Sequence, residues 1–228
     1  MSQEISLPKC IGLIIDGNRR WAKNKGLATL EGHRKGAEIL VDTARLVRDR
    51  GIKHMVVYAF STENWNRSEE EVSYLMDLIK EQVTKQLSEL GKENIRIRVI
   101  GQRDRLSPDV IAAIEKSEKE SEGMDGMTLW VCLSYGGRAE ILEAVKAVSE
   151  EGGEVTEDNF KKYFWSAEMP DPDIIIRTGG EKRLSNFLLW QVAYAELFFV
   201  DTMWPDFSEK ILDEILEEYS ERDRRHGK

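Results

Sequence analysis

Only two cysteines occur in 228 residues, Cys10 and Cys132, and each lies inside an apolar run. That count excludes a disulfide-stapled scaffold, and the spacing matches no zinc site. Two buried free thiols are expected instead. No stretch approaches the ~20 apolar residues of a membrane span, and the start of the chain lacks a secretory-leader pattern. The expected address is therefore the cytoplasm. Positive charge is in deficit, with 33 Lys and Arg against 42 Asp and Glu and a net charge of −9. A protein whose main business is coating nucleic acid is excluded by that balance. Any anion site must gather its cations locally. Repeats, low-complexity segments and linkers are also missing.

What is present describes a globular chain with a real core, at 41% hydrophobic and 33% charged residues. Short apolar runs predict strands at 11–15, 55–59, 128–133, 174–176 and 197–200, and clean alternation predicts one at 95–100. A helix is expected from about Gly32 to Arg50, with Ala37, Leu40, Val41, Ala44 and Val47 at helical spacing and Gly51 closing it. Leu27 to Glu31 before it is expected to be a loop. Ser68 and Glu71 form a capping-box pattern that opens a helix to about Leu90. Ser107-Pro108 opens another to about Ser121. Further helices are expected over 139–150, 156–164, 186–194 and 208–220. Six strands alternating with helices predict a single α/β domain over 1–228. Its six-stranded sheet should be mostly parallel and surrounded by helices.

The chemistry gathers at strand ends. The first strand delivers Asp16, Gly17 and Asn18, then Arg19, Arg20 and Trp21. Ligands of open α/β sheets bind outside the carboxyl ends of strands. A carboxylate there can hold Mg²⁺, a glycine admits close backbone approach, and guanidinium groups fork onto phosphate oxygens. The same residues also suit a plain strand-to-helix turn with Asp16 as N-cap. The second strand runs into Phe60-Ser61-Thr62-Glu63-Asn64-Trp65-Asn66-Arg67, whose two aromatics suggest a ligand wall or a seal over the core. The strand at 174–176 ends on Arg177-Thr178-Gly179-Gly180-Glu181-Lys182-Arg183-Leu184-Ser185. Two loops that gather arginine and glycine in an acidic protein point to an anion. Tyr135-Gly136-Gly137-Arg138 is a weaker phosphate-loop signal, without Walker spacing. His33 by itself carries little weight.

In order along the chain, IIDGNRRWA (14–22), GHRKGA (32–37), YAFSTENWNR (58–67), SYGGR (134–138), IRTGGEKRLSNFLLWQVAYAEL (176–197) and WPDF (204–207) resemble the cis-prenyltransferases of the undecaprenyl pyrophosphate synthase family. The resemblance implies Mg²⁺-dependent condensation of isopentenyl pyrophosphate onto an allylic pyrophosphate, farnesyl or geranylgeranyl. The product would be a polyprenyl pyrophosphate lipid-carrier precursor. It also implies an apolar product tunnel, a homodimer, no nucleic-acid partner, and peripheral contact with a membrane through the lipid product. By the same resemblance, Asp16 holds Mg²⁺, and Gly17, Asn18, Arg19, Arg20 and Trp21 hold the allylic pyrophosphate. His33 assists pyrophosphate departure. Ser61, Thr62, Glu63, Asn64, Trp65 and Arg67 orient both substrates. Asn64, matched to proton removal, is a poor base and is given a positional role. Arg177, Arg183, Leu184 and Ser185 form the isopentenyl cradle. Glu196 is a second metal-associated carboxylate that reaches the site near the dimer interface, and Arg225 belongs to a carboxyl-terminal element that completes a neighbouring subunit's site.

Three positions depart from the pattern. Thr29 stands where many members have arginine, and Arg19 stands where many have glycine. Arg19 is therefore expected to supply the missing charge. Trp130 replaces a smaller polar residue; facing the tunnel it would shorten the product, facing away it would only pack. Three rival readings fit the sequence less well. A phosphohydrolase needs a second carboxylate where Asn18 stands, and an all-helical trans-prenyltransferase needs an aspartate-rich motif that is missing. A non-catalytic partner subunit of a heteromeric enzyme would lose residues such as Asp16, Asn64, Trp65 and Glu196, all of which are kept.

Overall fold

Strand β1, Cys10–Ile14, is buried at every position, which is why its sequence is a continuous apolar run rather than an alternating one. It lies in the middle of a six-stranded sheet of order β3-β4-β2-β1-β5-β6, in which every neighbouring pair is parallel. The other strands are β2 His54–Ser61, β3 Ile95–Ile100, β4 Met127–Tyr135, β5 Ile174–Arg177 and β6 Glu196–Phe199. This computed structural model describes residues 7–152 and 155–222. Chain order reverses at β1: β2 pairs on one side and β5 on the other. A crevice therefore opens past the carboxyl ends of these three strands.

Alternation of side chains across the sheet builds two apolar layers. Ile11, Leu13, Met55, Val57, Leu129, Val131, Ile174 and Ile176 face the main core. That face is covered by α2 (Thr29–Asp49), α3 (Glu69–Glu81), α5 (Pro108–Glu120) and α8 (Glu209–Glu221), with α1 (Asn18–Asn24) packed on α2. A short helix α4 (Ser88–Lys92) follows α3, and α6 (Gly137–Glu151) and α7 (Glu157–Phe160) follow β4. On the opposite face Cys10, Val56, Tyr58, Trp130, Cys132 and Ile175 pack against Met169, Phe187, Leu188 and Val192. Both cysteines are free, and burial raises both thiol pKa values. Trp130 sits on this second face and donates its indole N–H to His54 Nδ1 at 3.3 Å. It packs and does not face the cavity described below.

Three expectations change, and one helix is new. Asn18–Asn24 is a helix where none is predicted. Gly17, in the left-handed region at φ 107°, turns the chain into it. Helix α2 starts at Thr29, within the expected loop, because Glu31 reaches back to accept the Ala28 N–H at 3.0 Å. The expected single helix to Leu90 is interrupted by a π-helical turn over Gln82–Leu87 before α4. The expected helix over 186–194 is a run of turns. Ser185, Asn186 and Leu188 all have positive φ there, which an α-helix cannot accommodate.

Candidate active site

Asp16 lies two residues beyond the end of β1, and its carboxylate is fixed on both oxygens. Oδ1 accepts the Gly17 N–H at 2.7 Å, and Oδ2 accepts from Arg177 Nη2 at 2.9 Å. Arg177 ends β5 with its side chain only 4% exposed. Its Nη1 donates to Ser185 Oγ at 2.8 Å and to the Arg183 carbonyl. One buried guanidinium thus joins the β1 and β5 loops. Arg20 Nη2 stands 3.6 Å from Asp16 Oδ1. Gly179 is needed beside it: at φ 83°, a Cβ there would lie 2.6 Å from Arg20 Nη2.

The loop after β2 arrives through a register shift, with Tyr58 opposite Cys132 but Phe60 opposite Leu133. Bulges of this kind re-aim side chains beside functional sites. Residues Thr62–Asn66 form a 3₁₀ turn that Asn64 caps, its Oδ1 accepting the Ser61 N–H at 3.0 Å. Glu63 Oε1 accepts from Asn186 Nδ2 at 2.8 Å. Burial pushes the Glu63 pKa up, but hydrogen bonds led by Asn186 outweigh it, and the net shift is downward. Glu63 is an anion at neutral pH. Phe60 is buried in the main core, and Trp65 packs edge-on against it at 5.0 Å between ring centres.

Helix α2 supplies His33, whose Nε2 lies 3.6 Å from Glu71 Oε1. Its pKa is lowered, first by burial and then by Arg67. Glu71 also takes Arg67 Nη1 at 3.0 Å and faces Arg19 Nη1 at 3.7 Å. Only half of the expected capping box forms through Ser68 Oγ, which accepts the Glu71 N–H. The Glu71 carboxylate turns to the cations instead.

These groups border a cavity of about 670 Å³. Asp16, Asn18, His33, Arg67 and Arg177 stand at its polar end, with Ser61, Glu63 and Asn64 from the β2 loop and Arg183 and Ser185 from the β5 loop. Its other walls are apolar: Ala37, Leu40 and Val41 of α2, and Leu75, Leu78 and Ile79 of α3. A second cleft beside it is lined by Gly17, Arg19, Arg20, Lys23, Thr29 and Arg67 among others. Five cations or potential cations, Arg19, Arg20, Lys23, His33 and Arg67, meet one carboxylate, Asp16, in that cleft. Such an arrangement can hold a polyanion at one end and an apolar chain at the other.

Other expected site residues lie back from the cavities. Trp21 donates its indole N–H to Asp206 Oδ1 at 2.7 Å. Thr62 Oγ1 donates to Glu63, and Leu184 packs on the second apolar face. Glu196 opens β6 in register with Ile174, which is itself level with Ile11. It therefore lies about 15 Å along the strand direction from Asp16 within one chain. Its Oε2 accepts from Arg222 Nη1 at 2.6 Å. Arg225 lies outside the described residues. Among the described residues no cluster of three or more His, Cys, Asp or Glu could hold a metal ion by itself. Sequence reasoning missed Asn186 and Tyr58. Asn186 lines the cavity and joins Glu63 to the β4 turn. The Tyr58 hydroxyl lies within hydrogen-bond distance of both the Tyr135 and Ser185 carbonyls, at 3.2 and 3.3 Å. The signal for Asn186 was its place beside Ser185 at the end of the β5 loop.

Comparison with known proteins agrees with this arrangement. The sequence profile of the undecaprenyl diphosphate synthase family of prenyltransferases matches residues 14–227. An isoprenyl transferase from Thermotoga maritima is 42% identical over 226 residues, covering 97% of each chain. One from Fusobacterium nucleatum is 45% identical over 225 residues, covering 98% of this chain and 97% of its own. Lavandulyl diphosphate synthase from Lavandula x intermedia, solved in complex with dimethylallyl diphosphate, superposes with a TM-score of 0.93 at 34% identity. The match covers 97% of this chain and 99% of that one.

Proposed function

Because the chain belongs to the undecaprenyl diphosphate synthase family of prenyltransferases, we propose that it adds isopentenyl pyrophosphate units to an allylic pyrophosphate with cis geometry, yielding a polyprenyl pyrophosphate. The observation that carries this reading is the two-ended cavity. Asp16 and Arg177 stand at one end and the apolar faces of α2 and α3 at the other. The cationic end suits a pyrophosphate, and the apolar walls suit an isoprenoid chain as it lengthens.

The reaction breaks an allylic carbon–oxygen bond as pyrophosphate leaves with its negative charge. The homoallylic double bond attacks the electron-poor carbon, and a proton is then lost. Arg19, Arg20 and Arg67 are the groups positioned to hold the leaving pyrophosphate, and Arg177, Arg183 and Ser185 to hold the isopentenyl head group. Charge-assisted hydrogen bonds that strengthen as the leaving group gains charge lower the barrier. Asn64 uses its side-chain oxygen on the Ser61 N–H. It is read as a group that orients the β2 loop, with the departing pyrophosphate as the proton acceptor.

The donor set fits Mg²⁺ of the substrate-completed kind. Asp16 faces the cavity beside the expected pyrophosphate position, with Glu63 as a second carboxylate at the same end, and Mg²⁺ commonly uses one or two carboxylates plus substrate phosphates. When bound, the ion would offset charge on the departing pyrophosphate. The exposed Tyr194, Leu142 and Val145, with Trp190 and Leu197, support a homodimer through the α6–β6 side. Among the described residues no helix is long and apolar enough to cross a membrane. Contact with a bilayer is therefore proposed only through the lipid product. The direct test is incorporation of labelled isopentenyl pyrophosphate into farnesyl pyrophosphate, with Mg²⁺ and with chelator. Incorporation that needs Mg²⁺ and falls at least a hundredfold in Asp16→Ala is expected. Equal incorporation by the variant would overturn the role of Asp16.

A further inference from the structure

The stretch SYGGR (134–138) reads as a weak phosphate loop, yet none of its residues borders either cavity. Its first residue has an unusual conformation for its type. Ser134 is fully buried, lies at the end of β4, and has φ 50°, in the left-handed region that glycine normally fills. It is also the extra residue of a register shift, since Phe60 pairs with Leu133 and Ser61 pairs with Tyr135. The bulge turns the side chain over. Cys132 faces the second apolar layer and Leu133 the main core, so strict alternation would send Ser134 to the second layer and Tyr135 to the core. Tyr135 instead packs in the second layer. Ser134 Oγ accepts the indole N–H of Trp65 at 2.9 Å, and Trp65 packs against the main core.

Trp65 is held on its other sides as well. Phe60 meets it edge-on, and the Arg105 guanidinium lies over its ring at 4.4 Å from the centroid. The turn that carries Trp65 presents Ser61, Glu63, Asn64 and Arg67 to the cavity. The remainder of 134–138 grips the other substrate loop. Gly137 N donates to Asn186 O at 2.7 Å and Arg138 N to Asn186 Oδ1 at 2.9 Å. A Cβ on Gly136 would lie 2.6 Å from Thr62 Oγ1 and 2.7 Å from Asn186 Nδ2. The β4 turn is thus wedged between the loops that follow β2 and β5.

We infer that Ser134 is a positioning residue for the prenyl transfer, holding the 61–67 turn in its working geometry through the Trp65 indole. The inference rests on the proposed reaction. Packing alone does not account for the hydroxyl: a glycine would fit φ 50° without strain and would leave the indole N–H without this acceptor. A serine tolerated in that conformation, on a bulge that re-aims it, is explained by the bond it makes.

The test uses the full chain with farnesyl pyrophosphate, isopentenyl pyrophosphate and Mg²⁺. Ser134→Ala and Ser134→Gly remove the acceptor, and Trp65→Phe removes the donor. Because Asp16, Arg177 and Ser185 are untouched, kcat is expected to fall about tenfold in each variant while both KM values stay within about threefold. Ser134→Gly relieves the backbone strain, so it guards against a variant that fails to fold. The double variant Ser134→Gly/Trp65→Phe should be no worse than either single one, as for two ends of one bond. A kcat within twofold of wild type in a folded Ser134→Gly, or multiplicative losses in the double variant, would overturn the inference while leaving the proposed reaction standing. Absence of elongation by the wild type would instead remove the reaction, and the inference with it.

Discussion

Arg177 is the residue on which the site turns, because one buried guanidinium serves Asp16, Ser185 and the Arg183 carbonyl at once. Arg177→Ala should cost about 2–3 kcal/mol of stability, less than a fully buried pair because Asp16 is 32% exposed. Activity should be lost even where the fold survives, and chemical denaturation beside an activity assay separates the two effects. Arg19 is more exposed and answers to salt. Arg19→Gly should raise KM for the allylic substrate several-fold, with a smaller change for isopentenyl pyrophosphate, and an unchanged allylic KM would remove Arg19 from the site. His33 and His54 both have pKa values lowered chiefly by burial. Below the ordinary histidine value of about 6.5 the unfolded chain binds protons that the fold does not. Stability is therefore full above that value and declines as pH falls toward the lowered folded values. His33→Gln should flatten that decline in pH-dependent melts, and an unchanged slope would show that His33 does not contribute. At this scale much was legible in the sequence. A carboxylate and arginines at the ends of apolar strands point to an anion, and the structure brings Asp16, Arg20 and Arg177 together. The Glu196 position was not legible, because a strand's first residue points to the opposite end of a parallel sheet only once the register is known.

Among the elements, strands were the easier reading, since most are apolar runs bounded by turn residues and β3 alternates cleanly as IRIRVI. Helix α1 hid because it opens on a glycine without a capping side chain, and its sequence is rich in charge. What makes it a helix is contact with α2: Gly32 lets Asn18 come so close that a Cβ would lie 2.1 Å from the Asn18 carbonyl oxygen. Gly36 stands likewise against the Asn18 side chain and Trp204. Gly32→Ala should therefore displace α1, costing about 2 kcal/mol from overpacking. It should weaken pyrophosphate binding because α1 carries Arg19 and Arg20. Calorimetric titration with inorganic pyrophosphate and Mg²⁺ checks this, and wild-type affinity would contradict it. The segment 186–194 misled in the other direction. Its apolar spacing suits a helix, but its residues face the second apolar layer as a string of turns. That shape is imposed by side-chain and backbone bonds to the β4 turn, which local pattern cannot reveal.

For the whole molecule, a net charge of −9 coexists with a cleft where Arg19, Arg20, Lys23 and Arg67 meet one carboxylate. Local concentration of charge overrides the global sign over distances within a Debye length, about 8 Å at physiological salt. The KM values of the pyrophosphate substrates should accordingly rise with ionic strength, while the inhibition constant of a neutral prenyl alcohol should change less. The exposed Tyr194 and Leu142 predict a solution mass twice the 26.2 kDa chain, and Tyr194→Glu should shift it toward one chain. Light scattering of the wild type as a single chain would contradict the dimer. The parallel α/β class followed from alternation of strands and helices, and the structure differs only in being parallel throughout. The central claim is that the two-ended cavity builds a polyprenyl chain by cis addition. Its most direct measurement is mass spectrometry of the products from farnesyl pyrophosphate and excess isopentenyl pyrophosphate with Mg²⁺, with NMR of the new double bonds. The account predicts a ladder rising in five-carbon steps to one dominant length, with cis geometry at each added unit and none formed by Asp16→Ala. No elongation from any allylic primer, or trans double bonds in the added units, would contradict it.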